Sequence, residues 1–173
     1  MKMDRIAIIG SAGSGKSTLA LQIAKLIDLP LYHLDRLFWK PGWVQTPKPE
    51  FSLMVEEVAQ KKQWIIDGNY SRTIDIRLEA ADMIIFLDYS KFLCVFRAVK
   101  RSLLHRNRIR PDITEGCKEK FDMEFYKWIW NFPNRNRDKI VLALSKLHDK
   151  KKIFIFKHPK ELKKWIKDFP SLI

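Results

Sequence analysis

The sequence predicts an α/β fold in which a parallel sheet of five strands is covered by helices on both faces. Short apolar runs rich in β-branched residues alternate along the 173 residues with longer segments whose apolar side chains recur at helical spacing. Parallel strands need crossover connections such as these longer segments. A glycine-rich stretch between the first strand and the first helix, residues 10–18, supports the same fold class.

The predicted strands are short and apolar, which is typical of strands buried on both faces of a sheet. They cover residues 5–9, 29–34, 63–67, 81–88 and 152–156. Ligands of an open parallel sheet bind beyond the carboxyl ends of its strands. Polar residues at those ends are therefore the first candidates for a functional site.

Helical spacing of apolar residues predicts the segments between the strands. The predicted helices cover residues 19–29, 50–62, 71–79, 91–107, 119–131, 135–150 and 160–168. The side chains expected in the core from the fourth and fifth of these helices are Phe92, Val95, Phe96, Val99, Leu103, Phe121, Phe125 and Trp128. Residues 39–49 contain three prolines and are predicted to form a loop without regular structure.

Composition places the chain among folded proteins without a membrane span. Apolar residues make up 46% of the sequence, and no apolar run approaches the ~20 residues that cross a bilayer. The sequence enters its first strand at once, so we expect no signal peptide. Cys94 and Cys117 fit neither a disulfide framework nor a metal site. We therefore expect two free thiols in a cytoplasmic protein.

The net charge is strongly positive. Thirty-three lysines and arginines stand against twenty acidic residues, which gives a formal charge of +13. Such a charge attracts polyanions, either nucleotide phosphates or the backbone of a nucleic acid. It also occurs in basic proteins without any such ligand, so the placement of the cations has to decide.

Residues 10–18 fit the phosphate-binding pattern G-x-x-x-x-G-K-[ST], the Walker A motif or P-loop. The glycines let backbone N–H groups point at phosphates, and the following helix contributes the partial positive charge of its N-terminus. Lys16 adds a full positive charge, and the Ser17 hydroxyl is placed to ligate Mg²⁺. The residues assigned to nucleotide binding are Gly10, Ser11, Ala12, Gly13, Ser14, Gly15, Lys16, Ser17 and Thr18. The motif in this context predicts a three-layer P-loop NTPase that binds a nucleoside triphosphate.

Two carboxylates follow predicted strands. Asp67 ends the third strand, where P-loop enzymes place an acid that supports Mg²⁺ together with Ser17. Asp35 follows the second strand and is a candidate to orient or deprotonate an acceptor hydroxyl group. Each acid has an alternative role as a turn former or a helix cap.

The segment from Asp67 to Thr73, D-G-N-Y-S-R-T, resembles the D-G-[FY]-P-R-T segment of adenylate kinases and other small nucleoside monophosphate kinases. The resemblance implies that Arg72 grips the phosphate of the acceptor and that Asn69 lies beside it. An aromatic-proline pair is absent here, so the acceptor is expected to differ. Trp43 lies in the region that covers the acceptor in that family, where it stacks on a base or instead closes the top of the core.

A dense run of cations lies between the fourth and fifth predicted strands. By the same resemblance, residues of about 97–137 form a helical lid that brings arginines over the triphosphate to neutralise charge during transfer. The arginines assigned to this catalytic role are Arg101, Arg106, Arg108 and Arg110. The alternatives are a solvated helix face and a nucleic-acid footprint.

Element order resembles the adenylate-kinase-like branch of P-loop kinases over essentially the whole chain. More narrowly, H-L-D, F-W-K-P-G-W, D-G-N-Y and R-x-R-P-D resemble bacterial proteins described as DNA topology modulation proteins. The resemblance implies one kinase-like domain over residues 1–173, with ATP and Mg²⁺ as cofactors and a small-molecule phosphate acceptor as partner. A nucleotide-dependent DNA-binding protein is the alternative, and the oligomeric state stays open.

Overall fold

Seven strands lie within the part of the chain that the computed structural model describes, residues 3–105 and 112–171. They are β1 (Arg5–Gly10), β2 (Leu31–His33), β3 (Trp39–Lys40), β4 (Val44–Gln45), β5 (Trp64–Asp67), β6 (Met83–Leu87) and β7 (Lys152–Phe156). Five of them form one parallel sheet in the order β2-β5-β1-β6-β7, and β3 pairs with β4 in a small antiparallel hairpin. The predicted five-stranded parallel sheet is confirmed.

Helices connect the strands and cover both faces of the sheet. They are α1 (Lys16–Ile27), α2 (Leu34–Phe38), α3 (Lys48–Ala59), α4 (Ile74–Ala80), α5 (Lys91–Leu104), α6 (Met123–Trp130), α7 (Asp138–Leu147) and α8 (Pro159–Asp168). A π-helical turn, Pro133–Arg137, leads into α7. None of the helices in the described ranges combines the length and apolar character that crossing a bilayer requires.

Two hydrophobic cores lie on opposite faces of the sheet. Along β1, Ile6 and Ile8 point into one core together with α1, α5, α6 and α8, whereas Ala7 and Ile9 point into the other with α3, α4 and α7. Successive side chains of a strand alternate between faces, so the unbroken apolar run 6–9 of β1 fills both cores. The three-layer α/β fold is therefore confirmed.

Residues 39–49 are more ordered than the prediction of a plain loop. The hairpin of β3 and β4 encloses the 3₁₀ turn Pro41–Trp43, in which Gly42 has φ 78° and Trp43 has φ 65°. Helix α3 already begins at Lys48, because proline is tolerated in the first turn of a helix, where its missing N–H would have no partner. The prediction took these prolines as breakers of structure, and it was wrong.

Helix α5 buries its predicted face only in part, since Val95 and Val99 are partly buried against the core but the larger predicted core residues are exposed. Its buried residues are Cys94, Ala98 and Ser102, whereas Phe92 and Phe96 are 66% and 63% exposed. The reason is the close approach of α5 to the glycine-rich loop, where a side chain at Gly13 would overlap the Cys94 carbonyl. Only small residues fit on this side of the helix.

Helix α6 also departs from the predicted core. Tyr126 and Ile129 are buried, Phe125 is partly buried, and Phe121 and Trp128 are exposed. The helix begins at Met123, and the carboxylate of the preceding Asp122 caps it by accepting a hydrogen bond from the Phe125 N–H. This cap starts the helix four residues later than predicted and leaves Phe121 outside it. Cys94 and Cys117 are buried free thiols, as expected.

Candidate functional site

The glycine-rich loop joins β1 to α1 at the carboxyl edge of the sheet. Its Gly10, Gly13 and Gly15 have φ angles of 146°, 77° and 99°, which L side chains rarely adopt. A side chain at Gly10 would come within 2.7 Å of the Leu87 carbonyl at the end of β6. Backbone atoms of β6 and α5 therefore lie so close to the loop that only glycine fits at residues 10 and 13.

Within the loop, one backbone N–H group and the Lys16 side chain donate hydrogen bonds to the same carbonyl oxygen. The Ser14 N–H donates to the Ser11 oxygen over 3.2 Å, and the Lys16 Nζ donates to the same oxygen over 2.8 Å. Ser11 and Ser14 are buried, Ser17 is partly buried, and Thr18 is exposed. The lysine ammonium group is thus held at the loop by a backbone carbonyl.

Charged side chains from three other elements act on Lys16. Burial of the ammonium group lowers the pKa of Lys16, and Arg101 acts in the same direction. The carboxylates of Asp35 and Asp67 oppose this shift. The structure thus brings the predicted P-loop lysine, both predicted strand-end acids and one predicted arginine into one electrostatic neighbourhood.

Both strand-end acids have a specific partner. His33 and Asp67 are paired in register between β2 and β5, and the His33 Nδ1 lies 2.5 Å from the Asp67 Oδ1. Burial opposes charge on His33, but the hydrogen bond and the charge of Asp67 raise its pKa. The Tyr70 hydroxyl donates to the Asp35 Oδ1 over 2.7 Å. These bonds fix where the two carboxylates lie.

Arg77 holds the segment after β5 and was missed by the sequence reasoning. It is fully buried on α4, and its guanidinium donates to the carbonyls of Thr73, Gly68 and Tyr70 over 3.2, 2.9 and 3.1 Å. Burial lowers its pKa to about 10, against the attraction of Asp67. The sequence offered one signal for this burial, which is that Arg77 stands between two apolar residues of a predicted short helix.

Arg72 and Asn69 leave the same loop in different directions. The Arg72 Nε donates to the Ser52 hydroxyl over 3.2 Å, and the side chain is exposed on the α3 side. The Asn69 amide is shielded from solvent, and neither of its polar atoms has a hydrogen-bond partner in the described part of the chain. Asn69 lines a cavity of about 150 Å³ together with Asp75 and Lys139. The two predicted acceptor residues are therefore not brought together.

Trp43 ties the hairpin to the segment that precedes α6. Its indole N–H donates to the Lys118 carbonyl over 3.1 Å, and its ring makes an edge contact with Trp39 at 5.3 Å. The Thr114 hydroxyl donates to the Arg36 carbonyl in the same region. These contacts give Trp43 a structural role, and its stacking on a base of the acceptor stays a prediction.

The described arginines of the basic run are held in place by specific contacts. The Arg97 guanidinium donates to the Ser14 carbonyl over 3.1 Å and lies 5.6 Å from the centre of the Tyr89 ring. Arg101 forms an ion pair with the buried Glu119, with 2.6 Å between Nε and Oε1. The other arginines assigned to the lid, Arg106, Arg108 and Arg110, lie outside the described residues.

A second arginine pair was also missed. Arg137, in the π-helical turn before α7, forms a two-pronged ion pair with Asp88, which follows β6. The Asp88 side chain is 7% exposed. The pair joins two segments that are 49 residues apart, so nothing local in the sequence indicates it.

The donor set at the loop suits Mg²⁺ only when it is shared with a phosphate. In the ranges that the structure describes, no group of three histidine, cysteine or acidic side chains could hold a metal ion by itself. Magnesium usually takes one or two protein oxygens and completes its shell with water and substrate phosphates. The Ser17 hydroxyl and the Asp67 carboxylate fit that requirement.

Comparison with known proteins identifies the fold. No family model matches the sequence, and no curated protein matches it. Among solved structures, a shikimate kinase from Acinetobacter baumannii in complex with shikimate matches with a TM-score of 0.62 at 12% identity, over 99% of this chain and 93% of that one. A gluconokinase from Sinorhizobium meliloti 1021 gives 0.54 at 13%, over 97% and 90%. A shikimate kinase from Bacteroides thetaiotaomicron gives 0.52 at 18%, over 99% and 98%. The chain therefore has the fold of P-loop kinases.

Proposed function

We propose that this protein is an ATP-dependent phosphotransferase that moves the γ-phosphoryl group of ATP to a hydroxyl group of a small molecule. The observation that carries the proposal is the position of the glycine-rich loop with Lys16 after β1, beside Asp67 at the end of the neighbouring strand β5. The similarity in fold to two shikimate kinases and a gluconokinase supports it.

The backbone N–H groups of residues 10–18 would hold the triphosphate. Lys16 would exchange the Ser11 carbonyl for phosphate oxygens, because a full negative charge attracts an ammonium group more strongly than a neutral carbonyl. Arg101, oriented by Glu119, adds positive charge nearby. Ser17 and Asp67 would hold Mg²⁺, which when bound neutralises charge on the phosphates during transfer.

Asp35 is the proposed base on the acceptor side. In the proposed step the acceptor O–H bond breaks and its proton passes to the Asp35 carboxylate. The acceptor oxygen forms a bond to the γ-phosphorus, and the bond from that phosphorus to the bridging oxygen breaks, so that ADP leaves. Tyr70 orients the carboxylate through its hydrogen bond. A base is needed for an alcohol acceptor but not for a phosphate acceptor, which is already ionised.

Asn69, Arg72 and Trp43 stay predicted acceptor contacts, although Asn69 and Arg72 point in different directions from the loop after β5. The bond between Arg72 and Ser52 holds this arginine on the α3 side and favours an acceptor without a phosphate group at Asp35. The lid role of Arg106, Arg108 and Arg110 is carried only by the sequence resemblance, and the mechanism does not depend on it. No contact among the described residues favours DNA binding over phosphotransfer.

The test is an acceptor screen with ATP and Mg²⁺ against sugar acids, polyols, nucleosides and nucleoside monophosphates, read as ADP release that depends on the acceptor. We expect turnover with an alcohol, its loss in Lys16→Ala, and a fall in kcat of about 10²–10⁴ in Asp35→Asn. Lys25→Ala changes an exposed lysine of the same helix and should leave turnover unchanged. Turnover that survives Lys16→Ala, or no turnover with any acceptor, would overturn the proposal.

A further inference from the structure

Helix α5 exposes a row of large apolar side chains that no part of the proposed reaction uses. Phe92, Phe96 and Leu103 are 66%, 63% and 63% exposed, and the partly buried Val99 lies between them. We call these four residues the α5 stripe. A row of this kind on a helix of an otherwise well-packed domain marks a surface for interaction.

The spacing of the α5 stripe is symmetric. Its members follow one another at intervals of four, three and four residues, so the pattern reads the same in both directions along the helix. Two such helices packed antiparallel about a two-fold axis would place Phe92 against Leu103 of the second copy, and Phe96 against Val99 of the second copy. Alternating steps of three and four residues are also the spacing that keeps a seam facing a partner helix. We infer that the occupant of this surface is a second copy of this chain.

Charge on α5 favours the same antiparallel arrangement. In this register Lys100 lies opposite Val95 of the second copy, and Lys91 lies opposite Leu104, so neither lysine meets a cation. A parallel pair would place Lys100 beside Lys100. The two arginines of the helix are engaged on the other side, Arg97 with the Ser14 carbonyl and Arg101 with Glu119. The stripe can therefore be buried without burying either arginine. The Lys91 Nζ lies 4.2 Å from the centre of the Trp130 ring, so this ammonium group has to stay at the solvent-exposed rim of the interface.

The exposed area is close to what a dimer needs. Trp130 extends the stripe, because its ring contacts Phe92 at 4.9 Å and is itself 40% exposed. With about 200 Å² for a whole aromatic side chain, Phe92, Phe96, Leu103 and Trp130 expose on the order of 450 Å² in each copy. Two copies would bury about 900 Å² there before Leu104 is counted, against the ~1,000 Å² of a specific interface.

Dimerisation would act on the nucleotide loop through α5. The same helix touches the loop where Cys94 lies behind Gly13 and where Arg97 donates to Ser14. A second copy that covers the opposite side would restrain this helix. The dimer would exist without nucleotide, and its formation does not depend on the proposed phosphotransfer.

The first test is the molar mass of the full chain in solution, measured by light scattering at about 100 μM in low salt and in about 0.5 M salt. We expect the mass of two 20.6 kDa chains, and a dissociation constant that does not rise with salt, because salt screens the repulsion between two copies of charge +13. Phe96→Glu should raise the dissociation constant by about 100-fold or more. Leu142→Glu, a change of the same kind at an exposed residue of α7, should not.

The second test examines the register. When F96C and V99C copies are mixed under mild oxidation, the disulfide between the two different copies should form faster than a disulfide between like copies. A wild-type protein that is monomeric at about 100 μM overturns the dimer, whether or not it sediments with vesicles of phosphatidylserine and phosphatidylcholine. A Phe96→Glu dimer as tight as the wild type, or F96C copies that link fastest to each other, overturns the antiparallel interface.

Discussion

Replacing Arg77 by methionine removes the guanidinium but keeps a side chain of similar length in the interior. Three backbone carbonyls, those of Gly68, Tyr70 and Thr73, then lose their charged donor. These carbonyls belong to the segment that carries Asn69. The substitution therefore removes the support of the loop without touching the glycine-rich loop.

The magnitude follows from the number and burial of the bonds. A buried acceptor left without a donor costs about 1–3 kcal/mol, and water that enters the loop recovers part of this cost. Removal of one partner from a buried charged network costs about 3–5 kcal/mol. We expect the free energy of unfolding to fall by about 4 kcal/mol, which lowers the melting temperature by about 10 °C for a chain of this length.

Equilibrium unfolding in urea with circular dichroism detection measures the change. Arg72→Met is the matched control, because Arg72 is exposed and has one hydrogen bond to Ser52, so its loss should cost less than about 1 kcal/mol. Arg77→Lys keeps a donor and should fall between the two. A loss below about 1 kcal/mol in Arg77→Met would refute the role assigned to this arginine.

Three further predictions concern the loop, the β6 end and the metal. Gly13→Ala should lower the free energy of unfolding by about 2 kcal/mol and weaken nucleotide binding, because φ at this position is +77° and the new Cβ would overlap the Cys94 carbonyl. Urea unfolding and nucleotide titrations that match the wild type would contradict this prediction. Asp88→Asn and Arg137→Met in a double-mutant cycle should show a coupling of about 1–2 kcal/mol, and additive losses would mean that the two-pronged pair contributes little. Chelation with EDTA should abolish phosphotransfer yet leave the melting temperature of the nucleotide-free protein within about 1 °C, and a larger shift would indicate a structural metal.

The sheet and the glycine-rich loop could be predicted because their signals are local. The apolar runs of β1, β5 and β6 lie in unbroken stretches of sequence, and so does the loop of residues 10–18. The position of Asp67 at the end of β5 follows from the same pattern, since parallel strands bring their carboxyl ends to one edge. Asp35 was predicted to end the second strand, but β2 ends at His33 and Asp35 lies in the first turn of α2. Their roles in catalysis stay predictions.

The buried face of α5 could not be predicted from its pattern. The helix has apolar residues on more than one side, and the sequence favoured the side with Phe92 and Phe96 because those residues are larger. The close approach of the loop at Gly13 selects the side with Cys94 and Ala98 instead. Steric fit between distant segments, rather than hydrophobicity, made that choice.

By itself, the sequence determined the five strands of the main sheet, most of the helices, the glycine-rich loop and the edge of the sheet where the candidate site lies, because periodicity and glycine-rich turns act over a few neighbouring residues. Only the tertiary structure decided which partners hold the site. Arg77 reaches backbone carbonyls, and Arg137 reaches an acid 49 residues away. Such contacts depend on how the layers pack, which is a property of the whole chain.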